Sequence, residues 1–192
     1  MLRVVKPSRS VTAREVRALA HPLRLRMLEW LLDNGPATAS MLARELGESS
    51  GATSYHLRAL AAADLIVEDL DRRKGRERWW RHVRKFRLIS SVLADDAEYN
   101  AAVAQLESVM LADDEEGLRR YLHNRGEFTP EWQETAFIGG WNLYATREEV
   151  DELSKLVMDW LRDRRVPAAE RADGSTQIRL TYRAVPQRPP GG

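Results

Sequence analysis

A chain of 192 residues can bury a real core in one ordinary domain or two small ones. It has no cysteine, which excludes disulfides, thiolate metal sites and a cysteine nucleophile. It also has no run of about 18 apolar residues and no apolar middle to its N-terminal segment, so the expectation is a soluble, cytoplasmic protein with no membrane partner. The net charge of +1 hides an asymmetry: residues 1–90 carry 18 Lys and Arg against 10 Asp and Glu, and residues 91–192 carry 12 against 19. Such a split implies an anionic partner for the first half, nucleic acid and membrane surfaces being the usual ones.

Thr12 can cap a first helix over TAREVRALA, which His21-Pro22 ends, because proline disfavours a helical residue before it and suits a helix's first turn. In the second helix Leu25, Leu28 and Leu32 share a face with Met27 and Leu31 alongside, and Asn34-Gly35-Pro36 stops it. Thr38 caps a short third helix bearing Met41, Leu42 and Leu46, closed by Gly47. Ser49 or Ser50 opens a fourth. Its packed stripe is Leu57, Leu60 and Ala61, and its opposite side carries Gly51, Ala52, Tyr55, Arg58 and Ala62. Two short helices around a tight glycine-containing turn are a helix-turn-helix, and small residues at the start of the second let it approach base edges in a major groove.

LIVEDL (65–70) and RERWWRHV (76–83) are strand candidates joined by the polar turn DRRKG, so a basic hairpin follows the helix-turn-helix, which makes a winged helix. Strand alternation places Trp79 beside Val83, under the wing, and Trp80 on the other face with Arg76, Arg78 and His82, against the linker to the second half or the dimer helix. ALAHPLRLRMLEWL, TASMLARELGESSGATSYHLRALAAADLIVEDL and RRKGRERWWR, in that order, resemble the winged helix-turn-helix domain of ArsR-type bacterial transcription regulators over residues 12–85. The resemblance implies a homodimeric DNA-binding regulator, usually a repressor. Its recognition helix often reads S-x-S-x-x-S-x-H-L; here the stretch holds Ser49, Gly51, Ser54, His56 and Leu57, with glycine in place of the middle serine.

Duplex binding needs phosphate neutralisation for affinity and base-edge contacts for choice of sequence. Residues 72–87 hold nine Lys and Arg and one Glu. The candidate DNA contacts are Ser50, Gly51 (through its backbone), Ser54, Tyr55 and Arg58 on the recognition helix, Thr38 and Arg44 toward the DNA backbone, and Arg72, Arg73, Lys74 and Arg76 at the hairpin tip. His56 sits on the helix flank, where a hydrogen bond to a neighbouring turn is the expected use. No metal is expected, because His21, His56, His82 and His123 form no H-x-x-H or H-x-x-x-H pair. The sequence has no nucleophile elbow, P-loop, dinucleotide fingerprint or zincin motif, and hence no expected enzyme activity or cofactor. Asp113 to Glu116 are read as a solvated acidic face.

Beyond residue 90, Tyr99, Val103, Leu106 and Met110 step as a short heptad seam that can pair with its copy in a second subunit or pack on its own domain; the resemblance favours the dimer interface. Thr129-Pro130 starts a helical turn, FIGGWNLYA (137–145) reads as a strand, and Thr146 to Glu149 is a capping box opening a helix with Val150, Leu153, Val157, Trp160 and Leu161 on one face. QIRLTYRAV (177–185) alternates as a second strand, and the tail from about residue 186 is expected to be disordered. Trp132, Trp141, Tyr144, Trp160 and Tyr182 either make a small core or line a pocket for an apolar effector.

The expected fold is therefore mainly α, a winged helix-turn-helix domain (1–90) followed by a small α+β dimerisation or effector domain (91–192). The expected function is a sequence-specific double-stranded-DNA-binding regulator, a homodimeric repressor on a pseudo-palindromic operator. The alternative is a winged-helix protein-interaction module that reads no DNA sequence.

Overall fold

The computed structural model describes residues 11–72, 77–83, 95–164, 166 and 170–187. Its first helices start and stop where the sequence signals lie. Thr12 and Glu15 form a capping box at the head of α1 (Ala13–Leu19). His21 caps α2 (Pro22–Asn34), with Pro22 in the first turn where its missing N–H costs no bond. Thr38 caps α3 (Ala39–Leu46), and Gly47 at φ 68° takes the left-handed conformation that ends it. Ser49, rather than Ser50, caps α4 (Ser50–Ala62), its Oγ accepting from the Ala52 N–H at 3.1 Å.

A three-stranded antiparallel sheet closes the unit, in the order β1 (Ala37–Thr38), β3 (Trp79–His82), β2 (Ile66–Glu68). The wing strands are shorter than the sequence suggests, and the 3-10 turn Leu70–Arg72 takes the place of the end of the first. The β1 strand has no pattern of its own in the sequence. It forms because Ala37 and Thr38 pair with Trp80 and Trp79.

That register corrects the expected placing of the two tryptophans. Trp80 is the buried one and belongs to the core, while Trp79 is half-buried with the Arg72 guanidinium 5.8 Å from its ring, and Val83 is exposed. Trp80 shares a face with its cross-strand partner Ala37, which is fully buried, so the pleat turns it inward. Alternation over residues 76–83 misled because the strand has only four residues, and the charged neighbours of Trp80 lie at or beyond its ends.

The core gathers Val16 and Leu19 from α1, Leu23, Met27, Leu28 and Leu31 from α2, Leu42 from α3, Leu57 and Leu60 from α4, and Leu65 and Ile66 around β2. Fully burying each such side chain contributes roughly 1.5–3 kcal/mol relative to leaving it in water. Thr53, also fully buried, has the carbonyls of Ala39, Ser49 and Ser50 within 3.0–3.2 Å of its hydroxyl; its one hydrogen goes best to Ala39 at 3.0 Å, which ties α4 to the start of α3.

The long helix α5 (Ala97–His123) adds to this core. Asp96 accepts from the Tyr99 N–H at 2.8 Å, and Tyr99, Ala102, Val103 and Leu106 are buried in the core with Met110 packed beside them. Arg17 of α1 pairs with Glu98. The expected dimer seam of Tyr99, Val103, Leu106 and Met110 is thus used inside one chain. Three of its four side chains, Tyr99, Val103 and Leu106, are covered without a second copy.

Contacts divide the chain into two units, residues 1–113 and 114–192. The expected boundary near residue 90 lies among residues 84–94, outside the described ones. In the second unit α6 (Pro130–Thr135) and α7 (Arg147–Arg164) form as expected, the latter opened by the Thr146–Glu149 capping box. The two expected strands do not: residues 137–145 and 177–185 carry no strand ladder. Alternation sets which face a residue prefers, but a strand exists only when its backbone finds a partner. The expected aromatic core fails for the same unit, since Trp141 is 79% and Tyr144 106% exposed and none of its described residues is buried. What organises residues 177–185 is polar: Arg179 and Arg183 both reach Asp114, at 2.7 and 2.5 Å, and the Tyr182 hydroxyl lies 3.3 Å from Ser154 Oγ on α7.

Candidate nucleic-acid interface

The stripe Thr53, Leu57 and Leu60 pins α4 to the core and turns the other side of the helix to solvent. Ser50, Gly51, Tyr55 and Arg58 are exposed there and Ser54 half-exposed, as expected of a helix offered to a groove. With no side chain, Gly51 leaves the first turn of α4 open: a Cβ there would meet only Ser49 Oγ, at 4.0 Å.

A groove runs between α4 and the wing. Ser54 and Arg58 form one wall, Glu77 and Arg78 the other, and Thr38, Ala39, Ser40 and Trp80 the floor and end. Arg58 rests its Nε on the Ser54 carbonyl at 3.2 Å, and Arg78 stands 3.9 Å from Glu68. Both guanidiniums are exposed, and such surface contacts contribute at most about 1 kcal/mol, so each can leave for a phosphate or a base. A guanidinium fork matches the O6 and N7 acceptors of guanine or two phosphate oxygens, and Ser40 and Ser54 add hydroxyls that donate or accept.

Not every expected contact residue sits on this surface. Thr38 is buried, and its hydroxyl accepts from the Met41 N–H at 3.3 Å, so its side chain is spent on capping α3. The exposed Ser40, two residues on, lines the groove beside it with a free hydroxyl position. Arg44 is exposed and paired with Glu45 at 3.0 Å. Arg72 folds toward Asp69, at 3.8 Å, and the ring of Trp79. Arg73, Lys74 and Arg76 lie outside the described residues. Ser40 and Arg78 were not among the expected contacts; Arg78 lies just before β3, within the run of cations that follows the first wing strand.

Behind α4, away from the groove, His56 faces His21 with ring centroids 4.4 Å apart, rather than bonding a turn. Burial first, and then the nearby Arg24, holds His21 below the ordinary imidazole value; burial, then His21 and Arg24, does the same to His56. Burial also lowers Arg24, which donates to the Ala18 and Arg17 carbonyls at the end of α1.

This arrangement is where comparison with known families falls. A helix-turn-helix domain model matches residues 19–69. The match runs from the end of α1 through α4 to the end of β2, and stops before Arg78 and the strand that carries Trp80. A helix-turn-helix domain points to a DNA-binding regulator, with the fold of a winged helix-turn-helix followed by a helical region. No curated protein matches the chain. Among the described residues no helix is long and apolar enough to cross a membrane, and no cluster of three or more His, Cys, Asp or Glu could hold a metal ion.

Proposed function

We propose that the chain is a cytoplasmic, ArsR-type transcription regulator that binds double-stranded DNA sequence-specifically as a homodimer and acts as a repressor. The observation that carries this reading is the groove between the exposed face of α4 and β3, walled by Arg58 and Arg78 within the basic half of the chain. In it the recognition helix enters a major groove, Arg58 and Ser54 read base edges, Tyr55 packs against a base or sugar, and Arg78 neutralises a phosphate from the wing side. As a binding protein it turns over no substrate.

The homodimer is supported by the second unit rather than by the seam of α5. Phe137, Ile138, Trp141, Leu143, Leu156 and Ile178 are all more than half exposed, and large apolar side chains left open together suit an interaction surface. A second copy supplies a cover of identical composition and sets two recognition helices about 34 Å apart on a pseudo-palindromic site. An effector that altered this spacing would weaken binding, which is the simplest switch for such a regulator.

The test is selection of bound fragments from the source genome with purified protein at stated salt. The reading expects enrichment of a two-fold symmetric sequence. Binding that enriches no sequence, and falls steeply with salt, leaves only non-specific phosphate contact and favours the protein-interaction module instead.

A further inference from the structure

We infer that His21 and His56 form a proton-operated release for the recognition helix: when either imidazole takes up a proton, α4 loses its seat on the corner between α1 and α2, and the helix–wing groove loses affinity for DNA. The consequence for DNA rests on the function proposed above, whereas the release itself belongs to the free protein.

His21 is the N-cap of α2, and its Nδ1 accepts from the Leu23 N–H at 3.2 Å. That bond needs a neutral ring with its proton on Nε2. A proton on Nδ1 sets two donors against each other and removes the cap of the helix that carries Leu23, Met27, Leu28 and Leu31 into the core. His56, on the recognition helix, lies against this ring at 4.4 Å, with Tyr55 edge-on to it at 5.1 Å. The Nδ1 of His56 is closed off from solvent and has no hydrogen-bond partner, so a proton placed there has nothing to receive it.

Of the charges facing the pair, two oppose a further proton and the one that favours it, Glu48, is shared with an arginine. From α2 come Arg24 and Arg26, and from the turn between α3 and α4 comes Glu48, which is engaged with Arg26 at 3.6 Å. Arg24 is held in place by the carbonyls at the end of α1. A proton on either ring therefore adds a cation beside a fixed cation. At 100° per residue His56 points about 160° away from both Ser54 and Arg58, so phosphates in the groove are on the far side of α4 from the rings.

Both rings are held below the ordinary value of 6.5, so the unfolded chain takes up protons at higher pH than the native one. The stability that the neutral pair contributes is complete above that value and is lost as pH falls from there toward the depressed native values. The sign is diagnostic, because added positive charge alone strengthens DNA binding on acidification.

The experiment uses full-length protein, the most enriched genomic fragment as duplex probe, and fixed ionic strength at about pH 7.5 and about pH 5.8. Wild type is expected to bind roughly threefold to tenfold more weakly at the lower pH, tenfold corresponding to one unit of differential titration. His21→Asn keeps a capping acceptor that does not titrate, and His56→Gln keeps a polar side chain of similar reach; each is expected to reduce the fall, and the two together to abolish it. Thermal midpoints of the same proteins without DNA are expected to drop with pH in wild type and less in either variant. A wild-type midpoint that drops no more than those of the variants overturns the release, whatever the DNA result. An expected midpoint profile with affinity that rises on acidification overturns its coupling to DNA, and no fragment bound at either pH overturns the DNA reading while the midpoints still decide the release.

Discussion

Arg58 and Arg78 face each other across the groove but have different work. Arg58 springs from the recognition helix, within reach of base edges, so Arg58→Ala is expected to cost about 1–3 kcal/mol on a preferred fragment and to relax choice at one base position. Arg78 springs from beside β3, where the proposed reading sets it against the sugar-phosphate backbone. Arg78→Ala is expected to weaken binding to preferred and scrambled duplexes alike and to lower the slope of log affinity against log salt by about 1. Fluorescence anisotropy titrations at several salt concentrations separate the two behaviours. The exposure of Tyr55 and Arg58, with Ser54 half-exposed beside them, was legible from the sequence because a helical stripe that buries Leu57 and Leu60 must expose the residues opposite. Ser40 and the burial of Trp80 were not, since both depend on a strand of two residues whose existence is decided by its partner.

At the scale of elements, α4 is held by the side chains it buries, on the side away from its exposed residues. Leu57 is fully buried, and Leu57→Ala is expected to destabilise the domain by about 2–5 kcal/mol, read as a lower midpoint in chemical denaturation with an unchanged slope. Thr53→Val keeps the volume and removes the hydroxyl that lies against the Ala39, Ser49 and Ser50 carbonyls, which is expected to cost about 1–2 kcal/mol. The boundaries of α1 to α4 could be read from local chemistry, because each carries its own cap or stop: Thr12 with Glu15, His21-Pro22, Thr38 and Gly47. The role of α5 could not. Its seam of Tyr99, Val103 and Leu106 shows only that one face wants burial, and the nearest surface able to bury it is the core of the same chain.

For the whole molecule the two units contrast. The first buries Leu19, Met27, Leu31, Leu42, Leu57 and Leu60 completely, whereas no described residue of the second is buried. Residues 137–145 and 177–185 alternate like strands because their composition asks for a partner, and the chain alone supplies no ladder for them. Sedimentation of the full chain is expected to show a dimer at micromolar concentration. Replacing both Trp141 and Leu143 with arginine is expected to shift it to monomer and to weaken binding to a two-half-site fragment by at least tenfold, while the midpoint of the first unit stays put.

The central claim is that the α4–wing groove reads DNA sequence, and a paired affinity measurement tests it most directly. Wild type and Arg58→Ala are each titrated against the most enriched genomic fragment and a scrambled duplex of the same length, at about 150 mM salt. The account predicts a preference of at least a hundredfold for the fragment in wild type, typical of specific over non-specific binding, reduced by about tenfold or more in the variant. Equal affinity of wild type for the two duplexes, or a preference that Arg58→Ala leaves intact, would contradict it.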